Sequence, residues 1–486
     1  MENAPDSAFS NQDLRRFGME VKMKNMTLER LAEACGGKLV FDGALPEQEA
    51  AGVVIDSRKV EKDFLFLAVK GERTDGHRYI PDVFAKGALG VVCEQLPEHP
   101  AGPCILVEDS LEALKRIGEY YRLQLPVKVV GITGSVGKTS TKECVASVLA
   151  QKYRVHKTQG NYNNEIGVPL TILAMPEDTQ VAVLEMGINH FGEMHNLSRI
   201  ARPDICVMTN IGQCHLEYLG SREGILKAKS EIFDYMNENG SVCVNADDDL
   251  LGALGEIKGK RPVRFGIRAG KEADLYADSI QSKGLLGSEA MLHGHGWEAA
   301  VRIPLPGEHM VYNALAAAAV GELLGLSKEQ IAEGIARVEG VGGRSHILQL
   351  EDKVLIDDCY NANPVSTEAA LDLLVQGDGR RVAILGDMFE LGAEEKKLHE
   401  QVGRYAVEHG TDCLICVGTL CASMYEGALA AQKEAGADSC KLYHFPDRQS
   451  LLTEIDELLE AGDTVLIKAS HSMGFEKVVE YLSSKK

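Results

Sequence analysis

A glycine-rich turn between an apolar run and a helix pattern constrains the fold of this chain more than any other feature. The apolar run is Val127–Val130, the turn covers Gly131–Gly137, and the helix pattern extends over Lys138–Leu149. Strand, glycine turn and helix start form the context of a phosphate-binding loop, in which backbone N–H groups and the positive end of the helix dipole surround phosphate oxygens. The segment therefore predicts a nucleotide-binding site.

Residues of this turn have distinct expected roles if it holds phosphate. Lys138 would reach the β- and γ-phosphates of a nucleotide, and the Thr139 hydroxyl would hold Mg²⁺. The strict form of the motif has glycine five residues before Gly137, whereas Ile132 stands there. An ordinary glycine-rich turn is the alternative interpretation, and the lysine and threonine at the helix start disfavour it. The nucleotide-binding residues predicted in this segment are Gly134, Ser135, Gly137, Lys138, Thr139 and Ser140.

The overall composition is that of a globular protein and argues against several classes of function. The 486 residues suggest roughly three domains of about 150 residues each. The formal charge of −21 disfavours broad binding of nucleic acid or anionic membranes, although local cations can still hold an anionic small substrate. No apolar run is long enough to span a bilayer, and the polar, acidic N-terminus does not resemble a signal peptide. We therefore expect a cytoplasmic protein.

The twelve cysteines are scattered along the chain, as expected in a reducing compartment. The C-x-x-C segment formed by Cys413 and Cys416 lies in an apolar run that predicts a strand. Because a strand would direct these two thiols to opposite faces, we interpret both as buried structural cysteines.

Strand and helix patterns alternate along most of the chain, which predicts an α/β protein with parallel sheets. Asp109 or Ser110 would cap a connecting helix, and Pro126 would end it. We expect an N-terminal tail at 1–22, a small α/β domain at 23–108, the connecting helix at 109–126, a central phosphate-loop domain at 127–340 and a C-terminal doubly wound, Rossmann-like domain at 341–486.

Polar residues follow several predicted strands, and ligands of parallel α/β sheets bind at the carboxyl ends of strands. Glu185 follows the apolar run Val181–Leu184 and could hold a metal beside the phosphate loop, with a helix cap or a solvated carboxylate as the alternative. His215 follows the next strand, where a lone histidine is more often structural or exposed. Lys227 and Lys229 lie on a predicted helix, where lysines are usually solvated.

Further polar segments follow predicted strands in the outer domains. Asp358 in the C-terminal domain could accept hydrogen bonds from ribose hydroxyls, whereas the Asn and Asp residues around it also favour plain turns. In the N-terminal domain, Asp56–Arg58 and Gly71–His77 combine hydroxyl, cationic and backbone donors suited to a polar ligand, and a loop without a ligand explains them equally well.

Taken together, these segments resemble the Mur ligase family of ATP-dependent peptidoglycan precursor ligases, from about Met26 to about Leu482. The loop of that family is G-x-x-G-x-x-G-K-[ST], which accounts for Ile132. Within the family, the chain is most similar to members that add D-alanyl-D-alanine to UDP-N-acetylmuramoyl-tripeptide, and it lacks the D-N-P-R motif of the sister enzyme that adds the third amino acid. Further motifs that carry the resemblance are Gly160–Leu170, Leu184–His190, Asp357–Pro364 and Leu385–Gly392.

The resemblance implies that ATP phosphorylates the tripeptide carboxylate and that the amine of D-alanyl-D-alanine attacks the acyl phosphate, which yields pentapeptide, ADP and phosphate. It implies two Mg²⁺ ions and a carbamylated Lys229, because an ammonium would repel Mg²⁺. The implied metal ligands are Thr139, Glu185, His215 and Lys229, and the implied catalytic residues are Lys138, Glu185, His215 and Lys229. The remaining implied contacts are Asn313, Arg344 and Asp358 for the nucleotide, and Ser57, Arg58, Asn163 and Asn164 for the UDP-linked substrate.

The chain departs from the family pattern at two places in its C-terminal part. Cys359 stands where serine is usual, and the segment Lys468–Ser472 replaces K-G-S-R, which puts the C-terminal arginine contact of the family in question. A ligase that adds a single amino acid or a glutamate tail, and a nucleotide-binding protein without catalytic activity, are the alternative functions. We expect a monomer that binds no nucleic acid and has no membrane span.

Overall fold

The computed structural model describes residues 23–71, 74–212, 214, 216–436 and 440–485. His215 lies outside the described residues. The chain divides into two compact units. The first unit holds the described residues up to Tyr276 together with Gly294–Trp297 and Leu315–Gly334, and the second holds Ala277–His293, Glu298–Ala314 and the described residues from Ile335 onward.

A five-stranded sheet forms the N-terminal part of the first unit. Its order is β1-β5-β4-β3-β2, in which β2 to β5 are parallel and β1 is antiparallel to β5. Short apolar runs such as Phe64–Leu67 form these strands because their side chains are buried on the sheet faces. The elements are α1 Leu28–Cys35, β1 Lys38–Val40, β2 Gly52–Val54, β3 Phe64–Leu67, α2 Ile80–Ala85, β4 Gly90–Cys93 and β5 Cys104–Leu106.

The predicted connecting helix is present as α3, Ser110–Gln124. Asp109 is its N-cap, and the carboxylate accepts hydrogen bonds from the backbone N–H groups of Leu111 at 2.7 Å and Glu112 at 3.0 Å. These bonds satisfy two of the donors that a helix start leaves unpaired. The helix ends just before Pro126, as the sequence predicts.

Loss of this cap provides a first test of the fold. Asp109→Ala is expected to lower the free energy of unfolding by about 1 kcal/mol, because two backbone donors lose their acceptor. Urea unfolding followed by far-UV circular dichroism measures the change. Glu108→Ala is the matched control, since Glu108 is an exposed neighbour outside the cap. Equal destabilisation by the two substitutions would contradict the assigned cap.

The remaining sheet of the first unit carries the glycine turn. Six of its parallel strands lie in the order β11-β10-β9-β6-β8-β7, so the direction in which strands are added changes at β6. A change of this kind leaves a crevice at the carboxyl ends of the central strands. The strands are β6 Lys128–Thr133, β7 Val155–Lys157, β8 Val181–Glu185, β9 Ile205–Met208, β10 Ser241–Asn245 and β11 Val263–Gly266, and the helices are α4 Lys138–Leu149, α5 Gly167–Leu173, α6 Glu193–Ala201, α7 Leu216–Leu219, α8 Arg222–Ser230 and α9 Asp249–Gly252.

Three strands and two helices follow β11 before the sheet of the C-terminal part begins. Their residues are distributed between the two units, so the expected domain boundary between residues 340 and 341 stays a prediction. These elements are β12 Leu275–Ser282, β13 Ser288–Gly294, β14 Trp297–Ile303, α10 His309–Leu323 and α11 Lys328–Ala336.

The second unit contains a six-stranded sheet with apolar clusters on both faces, which confirms the predicted doubly wound arrangement. Its order is β15-β16-β20-β17-β18-β19, and all strands except β15 are parallel. The elements are β15 His346–Gln349, β16 Val354–Asp357, α12 Pro364–Leu374, β17 Arg381–Gly386, α13 Glu395–Glu408, β18 Cys413–Val417, α14 Cys421–Ala435, β19 Lys441–Phe445, α15 Arg448–Leu458, β20 Thr464–Lys468 and α16 Glu476–Ser483.

Both cysteines of the C-x-x-C segment are buried, as the sequence predicts. Cys413 and Cys416 lie on β18 and belong to the apolar clusters on opposite faces of the sheet. All twelve cysteines are free thiols, and all except Cys214 are buried. Among the described residues, no helix combines the length and the apolar character that crossing a membrane requires.

Candidate nucleotide and metal site

The glycine turn adopts a backbone conformation that requires glycine at two positions. Gly134 has a φ of 152° and Gly137 a φ of 83°, both in a region that residues with a side chain rarely adopt. A Cβ atom at Gly134 would lie 1.9 Å from the Thr209 hydroxyl oxygen. This close approach brings the residue after β9 against the turn.

Two residues that the sequence analysis did not single out hold the turn in place. The Thr209 hydroxyl donates to the Val136 carbonyl at 2.7 Å. The Asn210 side chain accepts from the Val136 N–H at 2.9 Å, and its backbone carbonyl accepts from the Ser135 N–H at 3.0 Å. The residues after β9 therefore hold the phosphate loop in its conformation.

Lys138 begins α4 and bends back over the turn. Its Nζ donates to the Gly134 carbonyl at 2.8 Å and to the Ser135 carbonyl at 3.4 Å. Thr139 follows it and is buried at the first turn of α4, where the helix dipole favours negative charge. The arrangement gives the turn a positive charge, a hydroxyl group and a helix N-terminus, which are the groups expected around a nucleotide phosphate.

Glu185 ends β8 and is 1% exposed. One carboxylate oxygen, Oε1, accepts from the Asn163 amide at 2.7 Å, and the backbone N–H of Glu185 donates to the Thr158 hydroxyl at 3.0 Å. The other oxygen, Oε2, is buried and has no hydrogen-bond partner among the described residues. An unsatisfied buried carboxylate oxygen is costly unless a cation or another donor reaches it.

These observations fit a divalent cation of the Mg²⁺ type. Mg²⁺ prefers oxygen ligands, and Glu185 and Thr139 supply a carboxylate and a hydroxyl group next to the phosphate loop. Because His215 lies outside the described residues, its predicted part in a second metal site stays a prediction.

The two lysines of α8 differ completely in their surroundings. Lys227 is exposed, and its Nζ lies 6.0 Å from the centre of the Phe191 ring, so the solvated interpretation holds for this residue. Lys229 is 1% exposed, and no described carboxylate forms an ion pair with it. Burial, followed by the positive charge of Lys138, lowers the pKa of Lys229 to about 7. A substantial fraction of Lys229 is therefore a neutral amine near neutral pH.

The asparagine pair after β7 has roles inside the protein. Asn163 contacts Glu185 through its amide, and its carbonyl accepts from the Gly187 N–H at 2.8 Å. The Asn164 side chain accepts from the Gly167 N–H at 2.8 Å, where α5 begins. Their predicted contacts with a substrate stay predictions, and Asn163 lies next to the candidate metal ligand.

Ser57 and Arg58 lie in a short 3₁₀ turn after β2. Arg58 is exposed and forms a two-pronged ion pair with Asp56, with distances of 2.9 Å and 2.8 Å. The hydrogen bond from the Arg58 side chain is the main cause that lowers the pKa of Asp56 to about 2. The guanidinium is thus held at the carboxyl end of a parallel strand, where an anionic ligand is expected.

The second unit brings together Arg344, Asp358 and Lys468. Asp358 accepts from the Ser345 N–H at 2.8 Å and pairs with the buried Lys468. The guanidinium of Arg344 lies 4.0 Å from the centre of the Tyr360 ring. The polar segment after β16 is therefore an organised cluster at a strand end rather than a plain turn.

Asn313, the remaining predicted nucleotide contact, lies in α10 and is buried. Its side-chain amide is within 3.2 Å of the Met310 sulfur. At the start of the same helix, burial lowers the pKa of His309, and the negative charge of Asp358 acts in the opposite direction. The beginning of α10 and the strand-end cluster of Asp358 are thus neighbours within the second unit.

A second group of potential metal ligands proves to be structural. Donor atoms of Asp387, His399 and Cys421 lie within 4.8 Å of one another. His399 Nδ1 lies 2.7 Å from the Glu395 carbonyl and must donate to it, while Nε2 accepts from the Met388 N–H at 2.9 Å. Because backbone groups occupy both ring nitrogens, the histidine fixes the loop after β17 rather than ligating a metal.

The phosphate turn, the buried carboxylate on the adjacent strand and the buried lysine define a nucleotide-dependent enzyme of the phosphate-loop α/β class. Comparison with known proteins narrows this class. The chain matches the Mur ligase family catalytic domain at 49–121, the Mur ligase middle domain at 132–321 and the glutamate ligase domain of Mur ligases at 343–471. The chain belongs to the Mur ligase family, whose members are ATP-dependent ligases that form amide bonds.

Individual relatives are similar over nearly their whole length. The UDP-N-acetylmuramoyl-tripeptide–D-alanyl-D-alanine ligase of Bacillus subtilis (strain 168) is 38% identical over 468 residues, which is 95% of this chain and 99% of the relative. A crystal structure of MurF from Acinetobacter baumannii has a TM-score of 0.85 at 33% identity and covers 96% of this chain and 100% of its own. MurF ligase from Thermotoga maritima in complex with ADP has a TM-score of 0.77 at 28% identity, with 89% and 97% covered.

Proposed function

We propose that this chain joins D-alanyl-D-alanine to UDP-N-acetylmuramoyl-tripeptide at the expense of ATP and thereby forms the pentapeptide precursor of peptidoglycan. The observation that carries the proposal is the phosphate loop with Lys138 beside a buried Glu185 whose Oε2 lacks a partner among the described residues. The similarity to ligases of this name over nearly the full chain supports the choice of substrates.

The reaction needs activation because direct condensation of a carboxylate and an amine is uphill in water. A carboxylate oxygen of the tripeptide attacks the γ-phosphorus of ATP, and the bond to the leaving ADP oxygen breaks. The dipeptide amine then attacks the acyl carbon, loses a proton and expels phosphate as the amide forms. The protein has little covalent chemistry to perform, so positioning and charge neutralisation are its main contributions.

The residues at the turn divide these tasks. Lys138 neutralises phosphate charge, and the N-terminus of α4 orients the phosphates through its backbone N–H groups. Thr139 and Glu185 would hold Mg²⁺, which neutralises charge on the phosphate oxygens when it is bound. A second Mg²⁺ would be held by Glu185, His215 and Lys229.

Lys229 serves this second site as a carbamate. Its neutral amine attacks CO₂, which forms an N–C bond and releases one proton, and the product is an anionic oxygen ligand. The support is that a buried lysine beside Lys138 would otherwise place a second positive charge where a cation is expected.

The outer parts of the chain would hold the ends of the substrates. Ser57 and Arg58 would contact the UDP end, and Asn163 and Asn164 would contact the UDP-linked substrate. Asn313, Arg344 and Asp358 are the remaining residues that would contact the nucleotide. The protein acts as a cytoplasmic monomer.

A coupled assay for ADP tests the function directly. ADP release should require both UDP-N-acetylmuramoyl-tripeptide and D-alanyl-D-alanine, because the dipeptide consumes the acyl phosphate. ADP formed equally well without the dipeptide would overturn the proposal. Preference for a single amino acid over the dipeptide would instead identify another member of the family.

Carbamylation of Lys229 is expected to increase with pH. Since the pKa of Lys229 is lowered to about 7, the neutral amine makes up about a tenth of the protein at about pH 6 and about nine tenths at about pH 8. The ¹³C NMR signal of a carbamate formed from labelled CO₂, kept at constant concentration, should therefore rise several-fold over this range. A signal of equal size in Lys229→Ala would contradict the modification.

A further inference from the structure

A buried lysine lies one helical turn beyond Lys138 and has no part in the proposed chemistry. Lys142 is in α4 and is 2% exposed. Residues four positions apart share one face of a helix, so Lys142 lies behind Lys138 on the same helix. A lysine is rarely buried so completely unless its charge and its donors are used.

The partners of Lys142 show two different uses of its ammonium group. Nζ forms an ion pair with Glu143 at 3.0 Å and donates to the Thr158 carbonyl at 2.7 Å. Glu143 also pairs with the ammonium of Lys157, whose side chain is 31% exposed. Because Lys157 already neutralises Glu143, the link to Thr158 is what Lys142 alone provides.

Thr158 connects this link to the candidate metal ligand. The residue is fully buried, and its hydroxyl accepts from the backbone N–H of Glu185 at 3.0 Å. Its own N–H donates to the Val183 carbonyl at 3.1 Å, so it is tied to β8 at two points. A continuous chain of hydrogen bonds therefore runs from α4, which carries Lys138 and Thr139, to the end of β8, which carries Glu185.

We propose that Lys142 is a positioning residue that fixes the distance between the phosphate-loop helix and the Glu185 carboxylate, and thereby the affinity for a divalent cation. This inference rests on the proposed role of Glu185 as a cation ligand. Groups that orient a metal ligand typically contribute about 10-fold to 100-fold in metal affinity, and the loss of the Thr158 link should have an effect in this range. The chemistry at Lys138 is not altered directly.

Lys142→Met and Lys157→Met form a matched pair for the test. Both remove one ammonium from Glu143, and only Lys142→Met removes the bond to Thr158. The readouts on the full chain are the Kd for Mn²⁺, obtained from the electron paramagnetic resonance signal of free Mn²⁺, the Mg²⁺ concentration at half-maximal turnover, and Tm.

Lys142→Met should weaken Mn²⁺ binding about tenfold and raise the half-saturating Mg²⁺ concentration in parallel, whereas Lys157→Met should change neither. A folded Lys142→Met protein with parental Mn²⁺ affinity would overturn the positioning role, as would equal weakening in both variants. If Lys142→Met does not fold, Thr158→Val removes only the hydroxyl acceptor and should weaken Mn²⁺ binding in the same direction, and parental affinity in that variant overturns the inference.

Glu185→Gln separates a failure of the role inferred for Lys142 from a failure of the proposed role of Glu185 as a cation ligand. Unchanged Mn²⁺ binding in Glu185→Gln would show that the assignment of Glu185 as a ligand fails. Weakened binding in Glu185→Gln together with parental binding in Lys142→Met would overturn only the role of Lys142.

Discussion

Replacement of Lys138 by alanine is expected to lower kcat by at least about 10³-fold, because single cationic groups on a transferring phosphoryl group contribute on this scale. The Nζ of Lys138 is held over the turn by the carbonyls of Gly134 and Ser135. It can exchange these acceptors for phosphate oxygens without a large movement of the backbone. The coupled assay for ADP with both co-substrates measures the loss.

Two comparisons make the result at Lys138 specific. Lys128→Ala is the control. Lys128 is exposed at the start of β6, the strand whose other end leads into the phosphate loop, and it pairs with Asp204 at 3.1 Å. This substitution should keep kcat within about twofold, as expected for a surface ion pair. Lys138→Arg should remain strongly impaired, because a planar guanidinium does not replace a compact ammonium. A Lys138→Ala enzyme with near-parental kcat would exclude the loop from phosphoryl transfer and would favour a nucleotide-binding role without catalysis.

The start of α4 could be predicted from sequence because its signal is local. Gly134 and Gly137 stand where the backbone has a positive φ, and Lys138 is the first residue of the helix in the structure as in the pattern. Glycine at such positions is demanded by the backbone itself, so no tertiary information is needed to recognise the turn. Buried parallel strands such as β9 are similarly visible as short, continuous apolar runs.

The contacts that shape the site could not be predicted because they join distant positions. Thr209 and Asn210 reach Val136 across 73 and 74 positions, and Ser345 and Lys468 reach Asp358 across 13 and 110. The sequence shows which donors and acceptors follow each predicted strand, but it does not show which of them form hydrogen bonds with one another. The short strand β7, with three half-buried residues, has too weak a pattern to be recognised.

The burial of Lys229 has a signal in the sequence that the general expectation for helical lysines overlooks. The residues three and four positions from Lys229 are apolar, whereas those at the same spacings from Lys227 are Glu223, Gly224, Ser230 and Glu231. The helix period therefore places Lys229 on the apolar face and Lys227 on the polar face, in agreement with their burial in the structure. The resemblance to the family singled out Lys229, and its complete burial supports a role other than solvation.

Lys229→Ala is expected to lower kcat by about 10²-fold to 10³-fold, because it would remove the proposed carbamate, an anionic oxygen ligand that a neutral water molecule does not replace. Removal of the buried lysine side chain leaves a cavity about as long as that side chain, and a small carboxylate can enter it. Acetate or propionate should therefore restore part of the lost turnover in a saturable manner, and the parent enzyme should gain nothing from either anion.

Lys227→Ala is the matched control for this rescue, because it removes an exposed lysine from the same helix and should keep parental turnover without response to acetate. Chloride at equal ionic strength controls for screening of charge. Rescue of Lys229→Ala by methylamine rather than by acetate would show that the ammonium is the active form of Lys229. The proposed carbamylation would then be wrong. Near-parental turnover of Lys229→Ala without any additive would remove this residue from the metal site altogether.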